Sequence, residues 1–179
     1  MTGPIVVIGD ALLDRDLVGV AERLAPDTPV PVIDDITDTA RPGGAGLAAL
    51  MVARDGVEVV LVTGLGDDAA GHEVARLLQA EGVDVRAAHL PGPTPQKTRI
   101  RAGDHAVARL DYGGQSVVIE AGWADGIKRI VAGADGVLIS DYGQGVAAHP
   151  DVWAALVQRG KRRPTVWDPH PRGGPPGPG

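Results

Sequence analysis

The sequence contains no cysteine and no phenylalanine. Without a thiol there is no disulfide framework and no thiolate metal site. The aromatic side chains are two tyrosines and three tryptophans, too few for the stacking platforms that hold single-stranded nucleic acid. Excess positive charge is also missing: 17 basic against 23 acidic residues leave −6, the wrong sign for non-specific nucleic-acid binding. No apolar run reaches the roughly 18 residues a membrane span needs. The N-terminal M-T-G-P-I-V-V-I-G-D lacks the basic region of a secretory signal. Histidines at 72, 89, 105, 149 and 170 show no H-E-x-x-H or other metal spacing. These absences lead to the expectation of a cytoplasmic protein that binds neither nucleic acid nor membrane.

What is present is an α/β rhythm. A chain of 179 residues is one domain, or one and a small appendage, and can bury a core without staples. Pro4 to Ile8 is a continuous β-rich run, as expected of a strand covered on both faces. Ala45 to Arg54 reads as a buried helix, and Val57 to Thr63 as the next strand. Ala70, Val74, Leu77 and Leu78 share one face of a helix over about 69–80. Trp123, Ile127, Ile130 and Val131 repeat that spacing ahead of a strand from Gly136 to Ser140. Val152, Trp153, Leu156 and Val157 mark another helix, before a strand near Thr165 to Trp167. The alternation predicts a parallel sheet with right-handed crossovers.

Two segments interrupt the rhythm: Asp16 to Asp35, with no helix, and 96–111, a hairpin around Gly103-Asp104. Together they predict a small lid sheet, with lid segments over about 16–35 and 87–111. On that hairpin Lys97, Arg99 and Arg101 share a face, because strand side chains alternate. A three-residue loop would add Arg109 to the same face; a two-residue loop would send it to the other. The tail from 171, P-R-G-G-P-P-G-P-G, has the composition of disorder.

Acids follow the strands: Asp10 and Asp14 the first, Asp67 and Asp68 the second, Asp141 and Asp168 the later two. In an open parallel sheet those ends lie on one edge, where ligands bind. Beside Ala69 and a helix, Asp67 and Asp68 read best as turn and cap residues. Asp14, inside the otherwise apolar A-L-L-D, reads as functional. Gly64-Leu-Gly66-Asp-Asp-Ala69 fits the dinucleotide pattern G-x-G-x-x-A. Its two aspartates would repel a pyrophosphate at the helix N-terminus, so that reading is rejected. No G-x-x-x-x-G-K-[ST] occurs, which excludes a P-loop. In R-P-G-G-A-G, residues 41–46, three glycines in four positions open a helix. They serve either a positive-φ turn or a close approach of ligand to backbone.

The order of G-D-A-L-L-D (9–14), P-V-P-V-I (29–33), R-P-G-G-A-G (41–46) and G-L-G-D-D-A-A-G (64–71) resembles the ribokinase-like, or PfkB, carbohydrate kinases. R-L-A-P-D-T-P-V-P-V, Q-K-T-R, A-R-L-D, S-D-Y-G-Q-G and W-D-P narrow the likeness to the kinase domain of the bifunctional heptose 7-phosphate kinase/heptose 1-phosphate adenylyltransferases. The match covers residue 5 to about 170, so 1–170 is expected to be the N-terminal part of such a domain, followed by a disordered tail over 171–179. The resemblance implies a ribokinase-like doubly wound sheet with a β lid, a sugar between them, and ATP with Mg2+ as cofactors. It implies Asp14 as acceptor for sugar hydroxyls and Gly43 and Gly44 as a backbone seat. Lys97, Arg99 and Arg109 would meet a sugar phosphate, with Asp141 and Asp168 at the phosphate-transfer edge.

The sequence departs from that pattern. Leu47 stands where the family usually has a hydroxyl-binding Asn, and Gln144 and His170 stand where the heptose kinases usually have Lys. The N-x-x-E segment and the G-A-G-D motif, which supplies the anion hole and the Asp base, are absent from the chain. The expectation is therefore an ATP-dependent sugar kinase represented by a portion inactive alone and without catalytic residues of its own. The alternatives are a non-catalytic sugar-phosphate-binding or assembly module, and a decayed remnant. Exposed sheet and lid edges also predict a homodimer.

Overall fold

The computed structural model describes residues 3–114, 117, 118, 123–159 and 163–174. Its main layer is a five-stranded sheet built of β1 (Ile5–Gly9), β4 (Val59–Gly66), β5 (Asp84–Leu90), β8 (Gly136–Ser140) and β9 (Thr165–Asp168). The order is β5-β4-β1-β8-β9, and every pair is parallel. Helices α1 (Ala45–Arg54), α2 (Ala69–Ala80), α3 (Trp123–Gly133) and α4 (Pro150–Arg159) connect the strands.

The central strands alternate their side chains between two cores, which is why their sequences are apolar without a break. Val6, Ile8, Val60, Val62 and Ile139 pack with Ile127 and Val131 of α3 and Val152 of α4. Val7, Val59 and Leu61 pack on the opposite face with Ala49 of α1 and with Val74 and Leu78 of α2. Val6, Val7 and Ile8 are wholly buried, each stabilising the fold by roughly 1.5–3 kcal/mol.

The second sheet is the lid, ordered β3-β2-β6-β7. Its strands are β2 (Ala11–Leu24), β3 (Pro31–Gly44), β6 (Gln96–Ala102) and β7 (His105–Tyr112). The lid is longer than the 16–35 expected. β2 starts one residue beyond β1, and β3 runs through R-P-G-G into α1 without a loop. The segment 84–90 belongs to the main sheet, not to a lid beginning at 87. Only Ala88 and Leu90 of this edge strand are buried, too weak an apolar signal to stand out in sequence.

The hairpin answers the register question in an unforeseen way. Its loop has two residues, with Ala102 opposite His105, yet Arg99 lies opposite Arg109. A bulge displaces the register between the pairs Arg101–Ala106 and Ile100–Ala108, and this returns Arg109 to the face of Arg99. The tail also differs from expectation over 171–174, where the Gly173 N–H donates to His170 O at 2.8 Å and the Gly174 N–H to Asp141 Oδ2 at 2.8 Å. Residues 175–179 lie outside the described residues.

Candidate functional site

The carboxyl edge of the main sheet and the base of the lid meet around Asp10. The Asp10 carboxylate is 4% exposed. It accepts the backbone N–H groups of Tyr142 (2.9 Å), Gln144 (3.0 Å) and Val146 (3.4 Å), and so holds the loop after β8 against β1. Burial pushes its carboxyl above the usual range; the three N–H donors pull back, and nearby Asp141 adds to the rise.

One face of the lid carries two adjacent rows of charge, while Arg15 and Asp38 pair on the other. Strand register lines up Arg41, Asp14, Lys97 and Asp111 in one row, and Thr39, Asp16, Arg99 and Arg109 in the next. Asp14 is 9% exposed and accepts Arg99 Nη1 at 2.7 Å. Arg41 pairs with Asp16, and this hydrogen bond holds the Asp16 carboxyl below its usual value. Arg109 Nε donates to Asp111 at 2.8 Å, with the same downward effect on Asp111. Lys97 Nζ instead sits 5.7 Å from the centre of the Tyr142 ring, within cation–π range.

The two glycines of the expected seat have different constraints. Gly44 takes φ +59, and a Cβ there would lie 2.4 Å from Asp10 O. A Cβ on Gly43 would lie 2.6 Å from Asp14 Oδ2 and 2.5 Å from Leu12 Cδ1. Asp14 therefore reaches over bare backbone at Gly43, with Arg99 bound at its other oxygen. Ala45 N donates to Asp10 O at 3.1 Å, tying the start of α1 to the end of β1.

The remaining acids separate into different roles. Asp68 caps α2 through Gly71 N–H at 2.8 Å and also accepts Thr94 Oγ1 at 2.7 Å and Thr94 N–H at 3.0 Å. Burial alone would raise its carboxyl, but these donors together bring it below the usual value. With that carboxylate on the N-terminus of α2, the rejected dinucleotide reading has no place for a pyrophosphate. Asp67 is exposed and contacts His72. Asp141 is 2% exposed, and each oxygen accepts a backbone N–H, Gly143 at 3.0 Å and Gly174 at 2.8 Å. Asp168 ends β9 opposite Ser140 and is exposed.

Among the described residues, no three His, Asp or Glu side chains converge as a metal ion would require. Both Asp141 oxygens already accept protein hydrogens. The described residues thus do not fit a magnesium ion by themselves.

A cleft of about 100 Å³ opens where these parts meet. Its walls include Asp10, Lys97, Asp111, Tyr142, Gln144 and Arg172. Of the residues expected at the site, Lys97 lines this cleft; Asp14, Gly43, Arg99 and Arg109 lie on or against the lid's charged face. Sequence reasoning did not pick out Tyr142 or Arg172. Their signal was positional: each stands a few residues beyond the end of a parallel strand.

The model of the pfkB family carbohydrate kinases matches residues 3–112. The chain belongs to that family. It is 52% identical over 177 residues to the bifunctional protein HldE of Streptomyces coelicolor, covering 98% of this chain and 36% of that protein. It is 38% identical to HldE of Paramagnetospirillum magneticum, over 88% of this chain and 33% of that one. The chain thus spans about a third of the length of these relatives. A carbohydrate kinase from Agrobacterium tumefaciens superposes with a TM-score of 0.66 at 18% identity, over 92% of this chain and 53% of that one. Arabidopsis thaliana ribokinase, solved with ribose and ATP, gives 0.61 at 19% identity, over 93% and 53%. The fold is ribokinase-like.

Against that family background, the departures have definite places. Leu47 lies in the first turn of α1, 38% exposed. Gln144 lines the cleft. The His170 ring is 4.8 Å from the Tyr142 ring, centre to centre.

Proposed function

We propose that this chain forms the sugar seat and lid of an ATP-dependent carbohydrate kinase that phosphorylates a sugar phosphate of the heptose 7-phosphate type. The observation that supports it most directly is the pairing of Asp14 with the bare backbone of Gly43. One Asp14 oxygen is oriented by Arg99, and the other overlooks the position a Cβ would fill. A carboxylate so held can accept two sugar hydroxyls while the chain before α1 approaches the ring. Arg99, Arg109 and Lys97 supply the lid's positive charge toward a phosphorylated acceptor. ATP belongs to this reading as phosphoryl donor, and Mg2+ as the ion that neutralises the donor's phosphates when bound. No proton transfer is assigned to a base of this chain, because the sequence carries no G-A-G-D motif.

The test is thermal melting of the chain with a heptose 7-phosphate, with and without Mg-ATP, alongside a phosphoryl-transfer assay. Ligand at a hundredfold its Kd should add about 2.7 kcal/mol, a rise of roughly 5–10 °C for a chain of this size. No stabilisation by any sugar phosphate would reject the reading.

A second reading, an assembly module pairing through the lid, draws on Leu24, Val30, Ile36, Leu110 and Tyr112, all more than half or nearly half exposed on lid strands or their connection. Light scattering of the native chain distinguishes a monomer from the homodimer this reading requires.

A further inference from the structure

We propose that Lys97 and Arg172 together form a subsite for the phosphate group of the ligand, with Gln144 Oε1 accepting one of that ligand's hydroxyls. The inference rests on the kinase reading above and goes beyond it in naming where the phosphate sits and in assigning Arg172.

The first observation concerns unspent charge. Among the described residues, every other lysine and arginine side chain is engaged by a carboxylate or a backbone carbonyl. Lys97 and Arg172 make no ion pair or side-chain hydrogen bond to protein; Lys97 rests over the Tyr142 ring, both act on Asp111 through charge alone, and both line the same cleft. Arg99 and Arg109, equally cationic, are each already bound to an aspartate. A phosphate would gain charge-assisted hydrogen bonds from the free pair without first breaking an ion pair.

The second observation concerns the acceptor. Gln144 Oε1 is shielded from solvent and has no hydrogen-bond partner, which is costly for a buried polar atom. It lines the cleft that holds the two cations. A ligand carrying both phosphate and hydroxyl groups would satisfy all three residues.

The third observation is that Arg172 is held in place by its backbone. Its N–H donates to His170 Nδ1 at 3.2 Å, and Gly173 and Gly174 anchor the turn to His170 O and Asp141. Gly143, at φ +83, lets the Arg172 carbonyl approach to 2.2 Å of where a Cβ would stand. Lys97 and Arg172 both lower the Asp111 carboxyl through their charge, consistent with their facing one space.

The experiment is calorimetric titration of the full chain with inorganic phosphate, a heptose 7-phosphate and metal-free ATP. Arg172→Gln and Lys97→Gln should each weaken the favoured phosphate ligand about tenfold or more, whereas Arg76→Gln, paired with Glu73 on α2, should change it less than about threefold. Arg172→Lys, which keeps the charge, should retain most of the affinity. Neither free cation supports the fold through a hydrogen bond, so the unliganded melting temperatures should stay within about 2 °C. Tighter binding of the heptose phosphate places the acceptor's phosphate in the subsite; tighter binding of ATP places the donor's there. Wild-type affinity in Arg172→Gln, or no binding of any phosphate ligand, overturns the proposal. If Asp14→Asn binds the sugar phosphate normally while Arg172→Gln does not, the seat reading fails and the subsite stands.

Discussion

Arg99 Nη1 and Asp14 Oδ1 lie 2.7 Å apart across 85 residues of sequence, joining two adjacent lid strands beside the proposed sugar seat. Arg99 is more than a third exposed, so water can replace the carboxylate, and the pair adds about 1 kcal/mol or less to stability. Asp14→Ala should therefore melt within a few degrees of the native chain while losing its stabilisation by sugar phosphate. Melting curves with and without ligand check both halves; retained ligand stabilisation would remove Asp14 from the seat.

Gly43→Ala and Gly44→Ala should fail differently. At Gly44 the positive φ and the Asp10 carbonyl both oppose a Cβ, for a loss of about 1–3 kcal/mol. At Gly43 the new methyl presses on the Asp14 and Leu12 side chains, which can shift. Urea midpoints should fall more for Gly44→Ala, while the sugar-phosphate Kd should rise for Gly43→Ala even where the fold is kept.

Asp10→Ala would strand three backbone N–H groups in the loop after β8. The expected loss is about 2–4 kcal/mol, with Asp10→Asn, which keeps one acceptor oxygen, falling between it and the native chain. Equilibrium unfolding in urea orders the three; equal stability would show that the clamp is dispensable.

Two acids, the half-buried Asp68 and the buried Asp10, should bend the pH profile in opposite directions. Asp68 is lowered from 3.8, so its contribution is present above that value and is lost as pH falls through its folded value. Asp10 is raised from 3.8, so the folded state takes up its proton first and gains stability as pH falls through that raised value. Asp68→Asn should flatten the decline in urea midpoint below pH 4, and an unchanged acid limb would contradict the cap's role.

Leu47→Asn places an amide at an exposed position in the first turn of α1. Helix propensity predicts a cost below about 1 kcal/mol. Sugar-phosphate affinity should rise, because a hydroxyl then finds a donor and acceptor in place of a methyl-bearing side chain. Calorimetry decides, and unchanged or weaker binding would show that position 47 does not face the sugar.

Most of the main sheet was legible because its strands are buried on two faces and α1 and α2 on one. Those patterns produce unbroken runs such as I-V-V-I and the spacing of Ala70, Val74 and Leu78. β5 was missed because an edge strand with two buried side chains leaves little pattern. The face of Arg109 depended on a bulge, a property of pairing between strands rather than of either strand's sequence. Arg172 was hidden by its neighbours: glycine and proline give a disordered composition, yet Gly173 and Gly174 use their backbone N–H groups to dock.

β1 stands at the centre of the sheet, with β4 on one side and β8 on the other. The Asp10 clamp likewise closes on residues 132–136 positions later. During synthesis at about 5–20 residues per second, the first strand would wait on the order of ten seconds for its second neighbour. Its three wholly buried aliphatic side chains stay half-covered through that interval. Such a distant pairing gives the fold a high contact order and makes slow, aggregation-exposed folding its expected kinetic weakness.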